Sequence, residues 1–177
     1  MINMLRKRAN RKEEGFTLIE LMVVVLIMGI LLAIAIPAFL GAQNGAKNRA
    51  AESDLNTALT AEKTAYSNTQ AYTTDASSIE PSLNWITGTG TLAVAGNDVM
   101  ATVGTTTGQS GADAVCLEAL SGTTNKYFLV DETVGTDAGT YYANSGQTGG
   151  ASACPTLPLS GTGAPTGFFN SASAAGW

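Results

Sequence analysis

Residues 21–36 run for sixteen positions without a polar side chain. Adding 16–19 before and 38–40 after gives about 25 residues able to lie in lipid, and a spanning helix needs roughly 20. In front of this run stand Arg6, Lys7, Arg8, Arg11 and Lys12, five of the nine basic residues of the chain. Such a flank stays on the cytoplasmic side, which places the C-terminal body outside the cytosol. A single carboxylate, Glu20, sits at the head of the run. An ionised carboxylate in hydrocarbon is costly unless it is paired, so the segment needs a partner for Glu20. A cleavable secretory signal is the alternative reading, with "IPAFLGAQNGA" imitating a small-residue cut site around Ala42. It accounts neither for Glu20 nor for the "EEG" break before Phe16.

Charge and composition narrow the function. From Phe16 onward the chain has four basic side chains against twelve acidic ones, so no direct nucleic-acid site is evident. There is no histidine, which removes the commonest acid/base group and metal ligand. No phosphate loop, CxxC or HExxH motif occurs, and "GTGAPTG" has no following lysine. The reading is that the chain is not an enzyme and carries no cofactor. No Asn-x-Ser/Thr sequon is present. The two cysteines, Cys116 and Cys154, are free thiols in a cytosolic protein and a disulfide in an exported one.

The apolar run continues into "GAQNGAKNRAAESDLNTALTAEKTAYSN", where Ala51, Leu55, Ala58, Leu59, Glu62, Ala65 and Tyr66 recur near helical spacing. One helix over 16–67 is predicted, of roughly 75 Å at 1.5 Å per residue. Its first part, 16–43, is apolar all round, and its second, 44–67, has one apolar stripe for a sheet. Pro37 removes a donor inside this helix, and Gly29, Gly41 and Gly45 add backbone freedom. Residues 68–91 read as a connecting loop from which Trp85 and Ile86 pack back on the helix. The region 92–177 reads as an antiparallel sheet of three to five strands. These are a hairpin about residues 96–98 with Leu92, Val94, Val99 and Val103 as apolar positions, then 114–120, 126–132 and 139–145. One sheet face covers the helix and the other is partly wet. The stretches 104–113 and 160–176 read as low-complexity loops anchored by Phe168, Phe169 and Trp177.

"GFTLIELMVVVLIMGILLAIAIP" closely resembles the N-terminus of type IV pilins and the related pseudopilins of type II secretion. The resemblance covers residues 15–37 closely and fades by about residue 66. It implies an α+β fold, a lollipop with a long N-terminal helix packed on a C-terminal antiparallel sheet. It implies a leader of residues 1–15, cut between Gly15 and Phe16 by a prepilin peptidase that also methylates the Phe16 amine. Glu20 is then the assembly residue. Residues 16 to 20 span only about 6 Å of helix, so Phe16 of one subunit reaches Glu20 of a neighbour one axial step away. Gly29 and Pro37 match positions where this helix kinks or melts on packing into a filament.

The same resemblance favours a Cys116–Cys154 bond, since both residues lie outside the cytosol and pilins often have a disulfide-bounded loop near the C-terminus. It also raises Asp131, Glu132 and Asp137 as calcium candidates, against the plainer reading of a solvated acidic turn. The function implied is a structural subunit, a major pilin that self-associates into a helical homopolymer. The alternatives are a type II secretion pseudopilin or minor pilin, and a non-polymerising membrane-anchored adhesin or DNA-binding receptor. The implied partners are an inner-membrane platform protein, an assembly ATPase and minor pilins. The precursor would sit in the cytoplasmic membrane with a single span, and the assembled pilus on the cell surface.

Overall fold

A computed structural model of the chain describes residues 15–87, 91–92, 96–160 and 163–177. The expected leader, Gly15 apart, lies outside the described residues, as does Val94. Helix α1, Leu18–Thr69, is one element of 52 residues. Much of its first half is Val and Ile, poor helix formers in water, but away from water only a helix satisfies every backbone group within the segment. The chain stays helical through Gly29 and Pro37. It stops where Gln70 adopts a left-handed φ of 58° and gives its N–H to the Tyr66 carbonyl at 2.7 Å. That is a C-terminal cap made without glycine.

The chain divides into two compact units, Met1–Ala42 and Gln43–Trp177. In the first, every described side chain is exposed. In the second, α1 buries Ala51, Leu55, Ala58, Ala61, Glu62 and Ala65. Five strands follow: β1 Asn84–Ile86, β2 Asp98–Gly104, β3 Ala114–Leu120, β4 Lys126–Glu132 and β5 Gly139–Asn144. They lie side by side in chain order. β2 to β5 pair antiparallel, with Leu117 opposite Leu129 and Leu129 opposite Tyr142. β1 pairs with β2 in parallel.

The first strand of the hairpin expected about residues 96–98 falls largely outside the described residues, and β2 itself lies between β1 and β3. Two expectations need correction. The connecting loop 68–91 contains a strand, and Trp85 and Ile86 belong to it. Trp85 does reach the helix-side core, with Leu55, Val99, Leu117 and Leu129. The second sheet face is also better covered than expected. There Cys116, Phe128, Val130, Tyr141 and Ala143 pack under Phe168, Ala151, Cys154, Leu157 and Leu159. β3 and β4 are apolar on both faces, so each face needs cover. The unit therefore has three layers: helix, sheet and C-terminal coil. Trp177 anchors the end of the coil. Its ring meets Tyr142 edge-on at 4.9 Å, and its indole N–H donates to the Ala143 carbonyl at 3.2 Å.

Candidate functional site

The polar head of α1 is built by two residues three apart. Glu20 Oε2 accepts the Thr17 N–H at 2.9 Å and the Thr17 hydroxyl at 2.8 Å. Thr17 Oγ1 accepts the Glu20 N–H in return, at 3.3 Å. This is a capping box: each side chain satisfies a backbone donor that the helix start leaves orphaned. The carboxylate also sits in the first turn, where the helix dipole favours negative charge. Thr17 was missed as a functional residue, although its signal, T-x-x-E before an apolar run, is written in the sequence as "TLIE". Next to it Phe16 is 89% exposed. Gly15, Phe16 and Glu20 thus cluster at one end of the described helix, and Glu20 has a partner within its own chain.

Gly29 and Pro37 lie in uninterrupted helix. A Cβ built on Gly29 would meet nothing within 4 Å. Both positions are open on the exposed helix surface.

The cysteines are bonded, Cys116 to Cys154, with Cα atoms 6.0 Å apart across a separation of 38 residues. Cys116 is in the buried centre of β3, so the bond ties the C-terminal coil to the middle of the sheet.

The acidic trio Asp131, Glu132 and Asp137 is not assembled into one site. Asp131 and Glu132 are successive residues of β4 and point to opposite faces. Asp131 Oδ2 accepts the Tyr72 hydroxyl at 2.5 Å, its Oδ1 accepts the Thr140 hydroxyl at 2.5 Å, and Lys63 Nζ lies 3.2 Å away. Glu132 Oε2 accepts the Leu159 N–H at 2.9 Å, and Asp137 Oδ1 accepts the Gly163 N–H at 2.9 Å. These carboxylates join helix, sheet and coil to one another. Burial pushes the Glu132 carboxyl up, against the Leu159 bond, with Asp113 and Asp137 adding to the rise. Among the described residues no group of three His, Cys, Asp or Glu is placed to hold a metal ion.

Residues 10–36 match the family described as the prokaryotic N-terminal methylation motif. The chain is 46% identical over 72 residues to the type IV major pilin protein PilA of Myxococcus xanthus (strain DK1622), covering 41% of this chain and 33% of that one. It is 42% identical over 48 residues to the type II secretion system core protein G of Escherichia coli (strain K12), covering 27% of this chain and 33% of that one. The chain thus matches about a third of the length of each of these curated relatives. No solved structure matches it significantly.

Proposed function

We propose that the chain belongs, through its N-terminal region, to the type IV pilin and type II secretion pseudopilin family and that it is the major structural subunit of a type IV pilus, a reading supported by the methylation motif over residues 10–36 and the likeness to PilA. The observation that carries this reading is the form of α1. From Leu18 to Ala46 every side chain is exposed, and Glu20 is the one charged residue. Such a surface has two stable settings: lipid before assembly and other copies of the same helix after it. In lipid, Glu20 is shielded by Thr17 of its own chain. Cutting after Gly15 makes a second partner, the Phe16 amine, which reaches Glu20 on a neighbouring subunit. A buried pair of this kind contributes register more than net stability. Polymerisation by exchange of Glu20 from an internal to an inter-subunit partner is thus the proposed mechanism.

The precursor would wait in the cytoplasmic membrane. A prepilin peptidase would cut and methylate it, and a platform protein and assembly ATPase would drive it into a surface filament together with minor pilins. Helix melting between Gly29 and Pro37 on packing belongs to the same proposal. Glu20→Ala is expected to leave membrane insertion intact and to stop or sharply reduce filament yield. Normal yield from that variant would sink the mechanism.

A second reading, a type II secretion pseudopilin forming a short periplasmic fibre, is favoured by the likeness to core protein G. Electron microscopy of cells expressing the chain separates the two. Long external fibres support the pilus, and their absence alongside a processed membrane pool supports the pseudopilin.

A further inference from the structure

Glu62 lies on the face of α1 that packs against the sheet and is fully buried. Its Oε2 accepts the Thr73 N–H at 2.9 Å. Its Oε1 has no hydrogen-bond partner among the described residues. An ionised carboxylate so placed leaves a charge in low dielectric with half of its acceptor capacity unused. Among the described residues no ion pair to Glu62 is formed. Lys63, its neighbour in sequence, is half exposed and lies 3.2 Å from Asp131 instead. Tyr72, from the segment beyond the helix, gives its hydroxyl to Asp131 as well. Tyr66, from the helix, stacks on Tyr72 with ring centres 4.9 Å apart. Asp75 brings a second negative charge. Burial raises the Glu62 carboxyl to about 7, against the Thr73 bond, with Asp75 adding to the rise.

The backbone that Glu62 holds is a short stretch, residues 73–75, between two core anchors, Tyr72 and Ala76. Gln70 ends the helix, the Tyr72 N–H donates to the Ala112 carbonyl at 2.7 Å, and Ala76 is buried. Thr73, between them, is bonded through its backbone to Glu62. We propose that Glu62 is a proton-linked latch: neutral, it holds residues 73–75 against α1 between the anchors Tyr72 and Ala76, and ionised, it drives that stretch to open so that the carboxylate reaches water. The latch would make the surface formed by this segment sensitive to pH near neutrality. It depends on the packing of the second unit alone, so it stands or fails independently of whether the chain polymerises.

The test is hydrogen exchange on the full chain in detergent micelles between pH 5 and 8, corrected for the intrinsic exchange rate. Linkage between an open-state value near 4.5 and a closed-state value about 7 sets the expected shape. Protection of the Thr73 amide falls by up to about tenfold per pH unit from 5 to 7 and levels off above. In Glu62→Gln the profile is flat. In Asp75→Asn the fall persists but levels off at a more acidic pH, because the closed-state carboxyl loses the Asp75 charge. Parallel profiles for wild type and Glu62→Gln would overturn the proposal. If Glu62→Gln fails to fold, the carboxyl carbon of Glu62 in the wild-type chain is titrated by NMR. A midpoint near 7 supports the latch, and one near 4.5 overturns it.

Discussion

At the scale of single residues, the informative pair is Thr17 and Glu20. Glu20 is prominent in the sequence because it is a lone charge in an apolar run. Thr17 is not, yet it gives the carboxylate two donors within the chain. If Thr17 holds Glu20 ready for exchange, Thr17→Ala should lower the ratio of sheared filament to membrane pool, less severely than Glu20→Ala, and Thr17→Ser should restore it. Quantitative immunoblotting of the two fractions gives the ratio, and an unchanged ratio in Thr17→Ala would remove the threonine from the mechanism. The buried carboxyls of the second unit carry a different consequence. Burial raises both Glu62 and Glu132, so the folded chain binds more protons than the unfolded one above the ordinary carboxylate range. Their contribution is therefore greatest in acid and is lost as pH rises through the folded values. The unfolding temperature of the second unit's transition should fall between about pH 5 and 7. A curve that rises over that window would contradict the sign.

At the scale of elements, the helix was legible from end to end, since a lipid-length run followed by a 3.6-residue stripe admits little else. β3 and β4 were legible for a related reason. "AVCLEAL" and "KYFLVDE" are apolar runs of strand length separated by a turn. β1 was not legible, because three residues, "NWI", give no periodic signal. Its parallel pairing with β2 is set by tertiary packing. The cover on the far sheet face was legible only in part: Phe168 stood out as an anchor and β3 and β4 are apolar on both faces, but "PTLPLS" and "GFFNS" show no regular pattern to place the coil. Two substitutions probe these elements. Leu55→Ala, at a fully buried helix position, should cost about 2–5 kcal/mol in denaturant unfolding. Gly104→Ala should cost about 1–3 kcal/mol, because its Cβ would come within 2.5 Å of the Leu157 Cβ and 2.8 Å of the Pro158 nitrogen. A neutral result at Gly104 would mean that the coil does not press on β2 as described.

At the scale of the whole molecule, the second unit is closed by the covalent tie from Cys154 to the buried centre of β3. With its ends 38 positions apart in sequence, the bond is worth about 3–4 kcal/mol in chain-entropy terms. Replacing both cysteines by alanine should lower stability by that order and expose Phe168 and the face beneath it to proteolysis. An unchanged protease pattern would show that apolar packing alone holds the coil. Among its described residues the first unit has no such closure within one chain. Its helix is exposed on all sides, and in the proposed function it is buried first by lipid and then by other copies. The most direct measurement of that claim is the intact mass of protein sheared from the cell surface, with and without reductant. The expected result is a dominant chain of residues 16–177 carrying one methyl group on the Phe16 amine and gaining two hydrogens on reduction. A chain found only in membranes, with residues 1–15 still attached, would contradict it.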